Sequence, residues 1–340
     1  MNRRGEIEMP ERPERGGRLR PARGRERVGG VRPGGLRSRL AGGRRVGGGG
    51  QAGRERPFLL GCAALVILLT ASIIVFISAK GLATFVVNRV SPVEFLFSAQ
   101  WAPDRPAAEG GPRVGGLPYI LGSVAVSVLA VVVATPLSIS GAVFAVEVAP
   151  RWGQRALQPA LEMLAGIPSV VYGWLGLTIL VPFVRDHIGG LGFSLLAGFL
   201  VLAVMILPTI FTVAADGLRA LPVDLKEAAY ALGSTRWQTI RRVLLPAARS
   251  GIIAGVVLGL ARAFGEALAV QMVIGNTRKI PGSLLDPVTT LTSAITMDMP
   301  YTVMGSLWNN VLWSMALLLL LISCGFIVAI KLIARRGVKL

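Results

Sequence analysis

Apolar residues run in long unbroken stretches along most of this chain, and polar residues collect between them. Six stretches stand out: Phe58 to about Ala79, Leu117 to Val148, Leu157 to Val184, Leu191 to Ala215, Gly251 to Ile274 and about Val303 to Ala334. Each has the roughly 20 residues that a helix needs to cross the hydrocarbon of a bilayer. The two-residue alternation of a membrane β-barrel is absent. Pro57 suits the first turn of the first helix, and Pro136 and Pro168 predict kinks inside the second and third. The pattern predicts an all-α integral membrane protein with six transmembrane helices, spanning about 58–79, 117–148, 157–184, 191–215, 251–274 and 303–334.

Residues 1–56 break this pattern. They interleave Arg with Gly and Pro and hold 16 of the 36 Lys+Arg but only 6 of the 18 Asp+Glu. Such a segment has too little apolar surface to offset the entropy of ordering it, so a disordered tail is expected. A cytoplasmic tail that helps set topology explains its charge; a binding arm for anionic lipid or nucleic acid is the alternative, and no nucleic-acid partner is expected. The charged region is too long for a cleavable signal peptide. The one structured domain is expected over 57–340.

Composition supports the membrane reading. Hydrophobic residues make up 53% of the 340 and charged ones 16%, with mean hydropathy +0.62, whereas an average soluble chain is roughly 25% charged. Cys62 and Cys324 lie inside apolar runs, and the single His187 falls in a short loop between spans. That leaves no disulfide framework, zinc cluster or His-based triad to expect, and no cofactor or metal. The loops after even-numbered spans, the tail and the C-terminal end (Lys331, Arg335, Arg336, Lys339) are richer in base than the others. Both termini are therefore expected on the cytoplasmic side of a plasma (inner) membrane. The long loop from Lys80 to Gly116 is expected outside, with Phe85–Phe97 as an interfacial segment.

The most informative polar stretch is Asp216–Ser250, between the fourth and fifth spans. Pro222 and Asp224 open a short helix, with Asp224 as the expected N-cap. Gly233 ends it as a left-handed turn residue. Ser234 or Thr235 then caps a second helix running to Pro246. The result is a helix–Gly–helix unit that presents an apolar knob beneath the membrane.

Its residues carry a resemblance. Glu227-Ala228-Ala229, three residues, Gly233, nine residues, Val243, one residue and Leu245-Pro246 resemble the EAA loop of ABC importer permeases, with Val in place of the usual Ile. The stretch Ala165–Gly173 (AGIPSVVYG) is similar to the AIPSVVYG stretch of phosphate importer permeases. Ala261–Val270 followed by Met272–Asn276 is similar to their GRAxGExxAVxMVIGN segment, and Phe95–Pro103 to their external FLxxxxWxP stretch. On these residues the chain, over about 58–334, resembles a PstC-type permease with the MetI-like fold of type I importers.

The resemblance implies a non-catalytic subunit of an ATP-driven phosphate importer, coupled through Glu227, Ala228, Ala229, Gly233, Val243, Leu245 and Pro246 to a separate ATPase. It implies a PstA-type sister permease, a PstB-type ATPase dimer, an external PstS-type phosphate-binding protein and contact with membrane lipid. No GxxxxGK[ST] pattern is present, consistent with hydrolysis by a partner. An importer of another oxyanion, such as sulfate or molybdate, is the near alternative; a secondary transporter or membrane enzyme is the distant one.

Two charges fall deep in the fifth span. Arg262 lies 12 residues beyond Ser250, so about 18 Å along a helix, and Glu266 one turn further on the same face. Charges at such depth usually line a pathway or pair with each other. Arg suits phosphate because its fork makes two parallel bonds. An anion contact and a structural Arg262–Glu266 pair both account for the sequence. For Glu147 and Glu162, snorkelling or pairing with Arg151 and Arg155 accounts for the sequence.

Overall fold

A computed structural model describes residues 52–336; most of the tail expected at 1–56 lies outside the described residues. Two units divide at Ala64/Leu65. Among the described residues the first contributes only the start of the first helix, and all other elements belong to the second.

The described residues are mainly helical, as the apolar stretches predict. Helix α1 (Ala52–Val86) is followed by α2 (Pro92–Phe97) and a two-residue hairpin ladder, β1 (Trp101–Ala102) against β2 (Arg113–Val114). Helix α3 (Leu117–Val143) ends in a wide π-type turn, Phe144–Val148. Then come α4 (Arg151–Gly166), α5 (Ser169–Leu175), a second wide turn and α6 (Val181–His187). Helix α7 (Leu195–Arg219) leads into α8 (Val223–Ala231), α9 (Arg236–Thr239), a third wide turn at Ile240–Leu244, and α10 (Leu245–Ala247). The chain finishes with α11 (Arg249–Gly265), α12 (Leu268–Val273), α13 (Leu291–Asp298) and α14 (Leu307–Arg336).

Among the described residues four helical segments are long and apolar enough to cross a membrane: Leu59–Val86, Leu117–Val148, Leu195–Arg219 and Leu307–Leu332. The number reaches six when each of two bent pairs is one span: Arg155–Gly166 with Ser169–His187 at 93°, and Arg236–Ala247 with Arg249–Gly265 at 66°. The 93° bend breaks the third span expected from sequence; the 66° bend falls before Gly251, and the expected fifth span is interrupted further along. In the third, Ile167 and Pro168 are extended, and proline disfavours helical backbone in the residue before it. In the fifth, Glu266 is extended (φ −77°, ψ 127°) and separates α11 from α12.

Other boundaries shift for local reasons. The fourth span starts at Leu195 rather than Leu191 because Gly189, Gly190 and Gly192 all take positive φ. Ser194 then caps α7, its Oγ accepting from the Ala197 N–H at 3.1 Å. The sixth starts at Leu307, after a turn at Gly305 (φ 82°). The first helix continues past Ala79 to Val86, and Arg89 turns left-handed shortly after it (φ 55°). Of the expected interfacial stretch only Pro92–Phe97 is a separate helix, and its Phe95 is buried. His187 closes α6 instead of lying in a loop, its Nδ1 3.2 Å from the Phe183 carbonyl.

Three apolar clusters hold the second unit together. The largest joins α3, α5, α7, α11 and α12 through Val126, Ala130, Tyr172, Leu202, Ile206, Ala263 and Val270. The second packs Ala142 and Val143 against Phe211, Leu218, Ile240 and Leu244. The third joins Phe95, Tyr119, Leu291, Val311 and Met315. Small residues let backbones touch where these helices cross. A Cβ on Gly122 would sit 2.0 Å from the Thr289 carbonyl oxygen, which is backbone and cannot swing away. Gly122→Ala should therefore separate α3 from the 289–293 segment and destabilise the protein by about 1–3 kcal/mol, the usual cost of overpacking. A fall in the thermal midpoint of the purified protein checks this; an unchanged midpoint refutes the close crossing.

Candidate functional site

The 216–250 segment folds as the helix–Gly–helix unit expected, with one correction. Pro222, not Asp224, occupies the N-cap of α8, and Asp224 sits in its first turn. Gly233 has φ 79°, and the Ser234 N–H reaches back to the Ala229 carbonyl at 3.2 Å. Thr235 caps α9 reciprocally: its Oγ1 accepts from the Gln238 N–H at 3.3 Å, and its own N–H donates to Gln238 Oε1 at 2.9 Å. Ser234 and Thr239 hydroxyls share a 2.7 Å bond beneath the turn. Glu227 and Ala228 are exposed, whereas Ala229 is buried. Val243 and Leu245 are half-buried in or beside the wide turn, and Pro246 is exposed in α10.

The two faces of this unit differ. Ile240 and Leu244 are buried against α7 and the end of α3. On the other face Leu232 is 89% exposed and Trp237 63%. Large apolar side chains left this open, on a tightly capped turn, form a surface suited to a partner.

The polar groups near the break of α11 form a second constellation. Arg262 is half-buried and its Nη1 donates to Thr209 Oγ1 of α7 at 2.9 Å. Glu266 does not pair with it: among the described residues no ion pair joins the two. The break at Glu266 takes its carboxylate off the α11 face, and its Oε1 instead accepts from the Ala269 N–H at 3.0 Å, at the start of α12. Its carbonyl accepts from Thr292 Oγ1 at 2.9 Å. Glu266 also lines a small cavity of about 10 Å³ with Ser123, Ser127, Thr290 and Thr292, about the room one water needs. Ser123 Oγ accepts from the Leu291 N–H at 2.8 Å.

The structure brings the singled-out stretches together. A Cβ on Gly173, in the 165–173 stretch, would sit 2.8 Å from the Ala269 Cα in the 261–276 stretch. Gly275 (φ 92°) and Asn276 (φ 49°) turn the chain back after α12, and Asn276 Nδ2 holds the Gln271 carbonyl at 2.9 Å. Outside the spans, Arg278 Nη2 lies 3.2 Å from Asp298 Oδ2. Burial pushes the Asp298 carboxyl above its ordinary value, and Arg278 opposes that shift.

Sequence reasoning missed several contributors. Thr209, Ser123, Thr290 and Thr292 are short hydroxyls within apolar segments, and only folding shows what they meet. Glu147 meets two bases that its sequence neighbourhood does not name. Its carboxylate holds Lys226 and its backbone carbonyl accepts from the Arg236 guanidinium, 79 and 89 residues along the chain.

Residues 135–338 match the family model described as "Binding-protein-dependent transport system inner membrane component". The chain is 53% identical over 284 residues to the probable ABC transporter permease protein YqgH of Bacillus subtilis strain 168, covering 83% of this chain and 91% of that one. It is 41% identical over 228 residues to the phosphate transport system permease protein PstC of Xylella fastidiosa strain 9a5c, covering 61% and 68% respectively. Among solved structures, a chain of a bacterial alginate ABC transporter in complex with its pentasaccharide-bound periplasmic protein superposes with a TM-score of 0.59 at 16% identity. That match covers 84% of this chain and 96% of the other.

Proposed function

Because the chain belongs to the family of binding-protein-dependent transport system inner membrane components, we infer that it is the membrane permease subunit of an ATP-driven inorganic phosphate importer. It is a multi-pass, non-catalytic subunit that works with an ATPase and a substrate-binding protein. The observation that carries the reading is the folded EAA segment. Glu227, Ala228 and Gly233 stand on an exposed, capped knob whose opposite face is packed into the helix bundle. The 41% identity to a phosphate transport permease supports phosphate as the substrate.

The finer assignments rest on the same frame. The knob, through Glu227, Ala228, Ala229, Gly233, Val243, Leu245 and Pro246, docks the ATPase dimer, a PstB-type protein. A PstA-type sister permease completes the pathway, and a PstS-type protein delivers phosphate outside. The base-rich tail and C-terminus support a cytoplasmic position for both. Arg262 supports an anion contact: it is a half-buried guanidinium deep in the bundle whose partner, Thr209, is neutral. Glu266 acts beside it by holding the start of α12.

The test is uptake by the importer reconstituted in vesicles with its ATPase, sister permease and binding protein. Phosphate uptake should require ATP and yield to excess unlabelled phosphate but not to sulfate or molybdate. Uptake without ATP, or equal competition by sulfate, refutes the assignment.

A further inference from the structure

We propose that Glu147 is the positioning residue that locks the knob to the inner end of α3, so that the knob and this span move as one body. The proposal rests on the reading of 216–250 as the element that couples to the ATPase.

Glu147 lies in the wide turn Phe144–Val148 that closes α3. Its side chain is 8% exposed, and a carboxylate so buried is costly to keep charged unless a base pairs with it. The base is Lys226, 34% exposed, which directly precedes Glu227-Ala228-Ala229 on α8. The backbone of the same residue is held by Arg236, the first residue of α9. The two helices on either side of Gly233 therefore grip a single residue of the turn that closes α3, one by its carboxylate and one by its carbonyl. The last carbonyls of a helix have no intrahelical partner, so the end of the turn at 144–148 supplies the acceptor that Arg236 uses.

The apolar seam behind these bonds cannot do this alone. Ala142, Val143 and Ala145 pack against Ile240 and Leu244, but such contacts are non-directional and allow sliding. A charged pair anchored at a buried carboxylate fixes register and distance. At its other end α3 carries Ser123 and Ser127, which line the same small cavity as Glu266. A displacement of the knob thus reaches the groups around the α11 break through one continuous helix.

The experiment uses the full importer in lipid vesicles and reads phosphate taken up per ATP hydrolysed, in Glu147→Gln, Lys226→Gln and the double variant. Each single change should lower that ratio by roughly three- to tenfold while the ATPase subunits stay bound. The double change should be no worse than either single one, because both act through one contact. A role in stability alone would lower the thermal midpoint and the yield of complex but leave the ratio untouched. Should Glu147→Gln fail to assemble, Lys226→Gln, with its more exposed side chain, reads the same ratio. An unchanged ratio in Lys226→Gln, or losses that add in the double variant, overturns the proposal. The reading it rests on fails separately, if Gly233→Val keeps both the bound ATPase and coupled transport.

Discussion

Arg262→Gln is expected to abolish phosphate uptake while the importer still assembles with its ATPase. The guanidinium stands in the last turn of α11, and Thr209 Oγ1 of α7 is its hydrogen-bond partner at 2.9 Å. A neutral hydroxyl orients the group without discharging it, so the charge remains for an anion. Gln is shorter and offers no charge and no fork. A hydrogen bond to a charged group contributes about 1.5–3 kcal/mol, so losing one or two of them corresponds to a roughly ten- to ten-thousandfold loss of transport. Arg262→Lys should recover part of it, since charge returns without bidentate geometry.

Glu266→Gln should be mild, because the amide oxygen can still accept from the Ala269 N–H. If the two residues served only as a structural pair, the Gln/Gln double variant would restore transport by leaving no stranded charge. The measurement is uptake normalised to assembled complex. Recovery in the double variant refutes the anion contact; persistent loss with intact ATPase activity supports it.

Gly233→Val is expected to release the ATPase subunits without unfolding the spans. Gly233 has φ 79°, and a Cβ built there meets nothing within 4 Å. The whole effect is therefore backbone strain, with no steric clash to confuse it. A residue other than glycine in this region costs about 1–2 kcal/mol, and a β-branched one more. Straightening the turn would redirect Leu232, the most exposed apolar side chain on the knob, and separate α8 from α9. Since 1.4 kcal/mol is a factor of ten in an equilibrium, ATPase recovered with the purified permease should fall by roughly tenfold or more. Gly233→Asn, which tolerates the left-handed region, should lose much less. Wild-type recovery of ATPase with normal transport in the valine variant refutes the docking role.

The sequence by itself determined the class of the protein, because six apolar stretches of bilayer length admit few other solutions. It also determined the knob. A helix stop at Gly233 and a cap at Thr235 depend on residues within a few positions of each other, and such local rules are legible one-dimensionally. The helix starts failed where glycine turns intervened, at 189–192 and 305, since periodicity reports burial and not backbone sign. The Arg262–Glu266 spacing places both on one face only of an unbroken helix. The break between them, supported by Thr292 at the Glu266 carbonyl and by the packing of Ala269 on Gly173, depends on chain 26 and 96 residues away. Glu147 is the same case: Arg151 and Arg155 are near in sequence, but only the return of α8 and α9 beneath α3 brings Lys226 and Arg236 to it. Tertiary structure decided the partner of each deep charge, because a buried charge is satisfied by whatever folding places in reach and not by what lies next to it along the chain.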